Sequence, residues 1–142
     1  MGKRVLILNN RTMMRKIIVK AFNNNGYHVV GETRDVVGTV SACKRLKPDL
    51  VVIDAEMPYS QRMKAISLIY SNHAATKIVL LSVLGPKVFI VDPVDQYSDD
   101  YMIERLPINH PLLIIEKEFS RSLNDYLGSS KNKTFRMPSR AG

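Results

Sequence analysis

The chain has 142 residues, the size of one ordinary domain, with 45% hydrophobic and 24% charged residues, so it can bury one core and does not read as disordered or fibrous. A single cysteine, Cys43, excludes an internal disulfide and cannot by itself build a structural zinc site. The net charge of +8 is segregated: residues 1–47 hold ten basic and two acidic residues, residues 48–128 seven and eleven, and residues 129–142 four and none. That asymmetry suits nucleic acid, an anionic membrane or an acidic protein, and scattered surface lysines on an ordinary helix produce the same pattern.

Met1-Gly2-Lys3-Arg4 leads straight into Val5-Leu6-Ile7-Leu8 without the apolar stretch of a signal peptide, and no apolar run approaches membrane-spanning length. The expectation is a cytoplasmic protein with no membrane contact. Arg4 to Leu8 reads as a strand covered on both faces and ends at Asn9-Asn10. Thr12 then supplies an N-cap, Met14, Ile17, Ile18, Ala21 and Phe22 recur at helical spacing, and Asn25-Gly26 stops the helix. Tyr27 to Val30 predicts a second strand, and Val36, Val40 and Cys43 mark one face of a helix that ends before Lys47-Pro48. Asp49 to Ile53 is a third buried strand, stopping at Asp54. A helix over 61–70 carries Met63, Ile66 and Ile69 on one face, and Lys77 to Leu81 makes a fourth strand. Strands alternating with helices over short connections predict a parallel sheet with helices on both faces.

From Val83 to Pro111 the alternation fails. Gly85-Pro86 reads as a turn, Val88 to Val91 as a short extra strand, and Ser98 to Leu106 as a helix capped by Ser98. The stretch contains Asp92, Asp95, Asp99 and Asp100 and is broken by Pro86, Pro93, Pro107 and Pro111, so a remodelled acidic surface is expected. Leu112 to Ile115 then reads as a fifth buried strand and Ser120 to Leu127 as a last helix. Residues 129–142 have almost no apolar content and are expected to be a disordered basic tail following a domain that spans residues 1–128.

These residues resemble the CheY-like receiver domain of two-component response regulators. The resemblance rests on Lys3 to Ile7 followed by two polar residues, Met14-Arg15-Lys16 in the first helix, Gly26-Tyr27 and Gly31-Glu32 around the second strand, and Leu46-Lys47-Pro48-Asp49-Leu50-Val51 leading to Asp54 and Met57-Pro58. Ser82 after the fourth strand and Lys117 after the fifth complete it. The resemblance implies a flavodoxin-like, doubly wound five-stranded parallel sheet with helices on both faces and a remodelled fourth-helix region. It also implies a signalling domain, not an enzyme. A competing alignment puts the fifth strand at Val88 to Val91 and Asp92-Pro93 in the lysine position.

Carried over by position, the resemblance makes Asp54 the phosphoacceptor equivalent, Ser82 and Lys117 the phosphate contacts, and Asn9 and Asn10 the positions of the acidic pair that holds Mg²⁺ in the family. An amide oxygen ligates Mg²⁺ without formal charge, whereas each carboxylate ~4 Å from a divalent ion contributes on the order of 8 kcal/mol of gross attraction at an effective dielectric of ~20. Two such terms are missing. The expectation is weak or absent Mg²⁺, with Asp54 and Glu56 the only candidate ligands and the Glu56 side chain facing solvent. A direct ion pair between Lys117 and Asp54 is the expected resting state. Glu118 stands where the family has a cis-proline, and Ile114 where it often has an aromatic residue.

Three functional readings follow. The first is a degenerate receiver, or pseudo-receiver, that serves two-component phosphorelay signalling as a protein-interaction module with impaired Mg²⁺-dependent phosphorylation. Its partner would be a histidine kinase or another signalling protein, or a second copy, with the acidic stretch meeting the basic first helix in a salt-sensitive homodimer. The second is a working phosphoacceptor, phosphorylated on Asp54 by a histidine kinase. The third is nucleic-acid binding through Arg11, Arg15, Lys16, Lys20 and the basic tail, which no base-stacking aromatic pattern or nucleic-acid motif supports.

Overall fold

The computed structural model describes residues 2–73, 75–82, 87–93 and 101–105. In chain order the elements are β1 (Arg4–Leu8), α1 (Thr12–Asn23), β2 (His28–Thr33), α2 (Val36–Leu46), β3 (Leu50–Asp54), α3 (Tyr59–Asn72), β4 (Lys77–Ser82), β5 (Lys87–Pro93) and β6 (Tyr101–Arg105). They form one sheet in the order β2-β1-β3-β4-β5-β6. The first four strands run parallel, with helices on both faces, which is the α/β arrangement the alternating pattern predicts.

The apolar runs explain the layering. Successive side chains of a strand point to opposite faces, so a strand covered on both sides needs apolar residues throughout. In β1, Val5 and Ile7 pack with Ile18, Ala21 and Phe22 of α1, while Leu6 and Leu8 pack with Cys43 of α2 and Ile66 and Ile69 of α3. All five residues of β3 are buried, Asp54 included. The Phe22 and Tyr27 rings meet edge to face at 5.2 Å between centroids, closing the turn after α1, where Gly26 takes φ +85°. Helix α2 starts at Asp35, whose side chain accepts from the Gly38 N–H at 2.7 Å.

Several boundaries differ from the sequence expectation. Thr12 is the first helical residue of α1 and not its cap; the cap position is Arg11, which makes no side-chain capping bond. Ile17 lies on the solvent side of α1, 46% exposed. The larger correction follows Ser82. Residues 88–91 do form a strand, but β5 is antiparallel to β4, with Ser82 opposite Lys87 and Ile78 opposite Val91. A parallel neighbour needs a crossover of a dozen or more residues, and only four separate Ser82 from Lys87. The competing alignment therefore has its strand in place but reversed in direction.

The helix expected over 98–106 is also corrected. Residues 101–105 are β6, antiparallel to β5, with Pro93 opposite Tyr101 and Phe89 opposite Arg105. Tyr101 and Ile103 are strand formers, and pairing with β5 overrides the local capping signal of Ser98. The strand expected at 112–115, the last helix at 120–127, the domain end near 128 and the basic tail at 129–142 lie outside the described residues. No helix among the described residues is long and apolar enough to cross a membrane.

A hydrogen bond from the Tyr70 hydroxyl of α3 to the Val91 carbonyl ties β5 to the helical layer. Tyr70→Phe is expected to cost about 1 kcal/mol and to speed amide exchange in β5 more than in β1 or β3, read by hydrogen–deuterium exchange. Burial pushes the Cys43 thiol up to about 11, so it stays protonated near neutrality. Alkylation at pH 8 is expected to require unfolding, with a rate that rises through the urea transition.

Candidate functional site

The carboxyl ends of parallel strands converge where open α/β sheets place their ligands. Here β1 delivers Asn9, Asn10 and Arg11, β3 delivers Asp54 and, in the loop after it, Glu56, and β4 delivers Ser82. Asp54, Asn9 and Ser82 are buried, at 5%, 1% and 7% exposure. Asn10 is exposed. Five of the six expected side-chain positions therefore gather at one edge, and the sixth, Lys117, lies outside the described residues.

The loop after β3 is fixed by its own backbone. The Glu56 N–H donates to Asp54 Oδ1 at 2.9 Å and the Met57 N–H to the Asp54 carbonyl at 3.2 Å. Arg62 Nη1 reaches back from α3 to the carbonyls of Ala55 at 2.7 Å and Met57 at 3.0 Å. These bonds set the Asp54 carboxylate at the sheet edge and start the Glu56 side chain beside it.

Arg11 supplies the cation at this edge. Its Nη2 lies 3.4 Å from both Asp54 carboxylate oxygens and 3.4 Å from Glu56 Oε1. At that separation the contact is an ion pair more than a tight hydrogen bond. Its gross attraction is about 5 kcal/mol per pair at an effective dielectric of ~20, before desolvation and solvent screening. Arg11 is a site residue that sequence reasoning missed, having placed it on a basic helix face. The available signal was a lone cation directly after Asn9-Asn10, where two carboxylates are missing.

Glu56 is exposed, as expected, but its side chain, 30% exposed, does more than face solvent: Oε2 accepts a hydrogen bond from the Ser82 hydroxyl. The Glu56 carboxylate thus spans Ser82 on one oxygen and Arg11 on the other.

Asn9 is held by α1 instead of facing a ligand. Its Oδ1 accepts from the Arg11 N–H at 2.9 Å, its carbonyl accepts from Arg15 Nη1 at 2.8 Å, and its Nδ2 is buried with no partner among the described residues. Flipping the amide would set a donor against the Arg11 N–H, so the network fixes the orientation. Arg15, 8% exposed, also pairs through Nε with Glu32 at 3.1 Å, and Lys16 meets the same carboxylate at 3.4 Å. Of the four helix cations considered for nucleic acid, Arg15 is buried and paired, and Arg11 and Lys16 are paired with carboxylates of the fold.

The donors among the described residues do not make up a divalent-cation site. Among the described residues no three His, Cys, Asp or Glu side chains cluster, the Asn9 oxygen is turned to the backbone, and a guanidinium lies against Asp54. Arg11→Ala is expected to lower stability by about 1 kcal/mol in urea denaturation. Arg11→Lys should recover part of that, because a single nitrogen, Nη2, makes all three carboxylate contacts and an ammonium offers one such nitrogen on a differently shaped stem.

The family model for the response regulator receiver domain matches residues 5–106. The chain is 31% identical over 104 residues to the chemotaxis protein CheY of Thermotoga maritima, which spans 73% of this chain and 87% of that protein. It is 27% identical over 117 residues to CheY of Bacillus subtilis, covering 82% and 98%. Among solved structures, the response regulator domain of Thermotoga maritima CheB superposes with a TM-score of 0.52 at 29% identity, covering 59% of this chain and 63% of that one. The chain belongs to the response regulator receiver family of two-component signalling.

Proposed function

We propose that this receiver works in two-component signalling as a protein-interaction module, for a histidine kinase or another signalling protein, with Mg²⁺-dependent phosphorylation of Asp54 impaired. The observation that carries the reading is the Arg11 guanidinium at 3.4 Å from both Asp54 oxygens. A carboxylate attacks a phosphoryl group only when the repulsion between two anions is relieved by cations placed to meet the transferring oxygens. Here the adjacent cation is tethered to the nucleophile itself, and the second nearby carboxylate, Glu56, adds negative charge where an incoming phosphoryl group would arrive. Ser82, which this reading takes as the phosphate-contact equivalent, donates to Glu56.

The test is paired. Calorimetric titration with Mg²⁺ should give no saturable binding below the millimolar range, and incubation with acetyl phosphate should leave the intact mass unchanged. A gain of about 80 Da, one phosphoryl group, lost in Asp54→Ala, would instead establish a working phosphoacceptor. Phosphotransfer from the cognate kinase decides between the two readings if the small donor fails. The triple change Asn9→Asp, Asn10→Asp, Arg11→Ala should gain Mg²⁺ binding, since it restores both carboxylates and removes the competing cation.

A further inference from the structure

We infer that Glu56 is a built-in anion that holds the Ser82 hydroxyl, so that the state of Ser82 at the end of β4 is set by the chain itself and does not depend on Asp54. The inference rests on the receiver reading above and deepens it by assigning Glu56 and Arg11 as positioning residues for Ser82.

The geometry has three steps. Arg62 Nη1 holds the carbonyls of Ala55 at 2.7 Å and Met57 at 3.0 Å, which anchors the loop on both sides of Glu56 without the Asp54 side chain. Arg11 Nη2 then meets Glu56 Oε1 at 3.4 Å, offsetting part of the charge it shares with Asp54 and orienting the carboxylate. The remaining oxygen, Oε2, accepts the Ser82 proton. A hydroxyl has one proton to donate, so a Ser82 that donates to Glu56 has none left for a group on Asp54. Bonds to an ionised acceptor are about twice as strong as neutral ones, and Ser82 at 7% exposure has little water to compete for it.

The charges also exclude a simpler account, in which Glu56 is only a solvated surface residue that touches Ser82 in passing. Two carboxylates share one guanidinium nitrogen, Asp54 and Glu56 both at 3.4 Å. Like charges in such proximity repel, and the contacts to Arg11 and Ser82 act against that repulsion and the loss of hydration. Removing either one should loosen the hold of the Glu56 side chain on Ser82.

The test uses the unmodified protein in metal-free buffer, so its outcome is independent of whether Asp54 accepts phosphate. The amide and Cβ resonances of Ser82 are followed by NMR in the wild type and in Glu56→Ala, Glu56→Gln, Arg11→Ala and Asp54→Ala. The expected result is a large displacement of the Ser82 resonances in Glu56→Ala, a displacement in the same direction in Arg11→Ala, and a smaller one in Glu56→Gln, which keeps an acceptor oxygen without charge. In Asp54→Ala the Ser82 Cβ should move least of all. Ser82 resonances unchanged in Glu56→Ala, or moved as far in Asp54→Ala as in Glu56→Ala, would overturn the assignment. Glu56 is a partly exposed loop side chain, so loss of folding does not confound its variants. For Asp54→Ala, the β1 and β3 amides serve as the internal control. A failure here with no acetyl phosphate adduct would leave the impaired-receiver reading standing, and an adduct with the Ser82 pattern intact would overturn only that reading.

Discussion

Asp54 ends a strand buried on both faces, and a carboxylate in such a place is tolerated only when cations and hydrogen-bond donors are set against it. The sheet fixes where it sits: β3 lies between β1 and β4, so whatever meets Asp54 must come from the loops that follow those strands. From the β1 side comes Arg11, from its own loop the Glu56 amide, and from the β4 side Ser82 through Glu56. Each contact constrains the next. Arg11 lies where it does because its amide is tied to Asn9, and Asn9 is tied through its carbonyl to Arg15. The first turn of α1 and the acidic edge of the sheet are one connected structure.

The first four strands and the three helices between them were legible because burial on two faces forces a continuous apolar run, and helical spacing marks the segments between. Asp54, Asn9 and Ser82 were legible for the same reason, as the polar residues that end those runs. Arg11 was not. In sequence it is one more basic residue on a helix that also carries Arg15, Lys16 and Lys20, and nothing local says that its side chain bends across the top of β1 toward β3. Glu56 is the same kind of case. Alternation past a strand end loses meaning, so a carboxylate two positions after Asp54 has no predicted direction until the loop conformation is known.

The reversal of β5 is different, since the information was present in the connection length. Val88 to Val91 carries strand formers on both parities and fits any neighbour of β4 by composition. Four residues cannot carry a chain from one end of a sheet to the other, but they can close a hairpin, and Gly85-Pro86 lies within them. The strand order at this edge keeps β5 beside β4, as in flavodoxin-like sheets, while its direction places the start of β5, and not its end, beside Ser82. A parallel strand in that place would present the residues after its last apolar position to Asp54. The reversed strand instead carries Asp92 and Pro93 to the opposite end of the sheet, which removes them from the site altogether and explains why Asp92-Pro93 cannot stand in the lysine position.

In the proposed reading, the exchange of a divalent ion for a guanidinium changes what the site can respond to. A bound ion leaves and returns with its concentration, so a site built on one is coupled to solution; a guanidinium on the chain has an effective concentration fixed by the fold. Among the described residues the formal charges at the edge are Asp54 and Glu56 against Arg11. A ligand shifts a conformational equilibrium only by its differential affinity for the two states. If Ser82 is already bonded to Glu56, a group added to Asp54 finds that hydroxyl occupied and must displace Glu56 before it can bias β4. In that reading the same three residues that make the carboxylate tolerable in the interior also uncouple it from β4, and the signal is carried by which protein is bound to the domain or by how much of it is present.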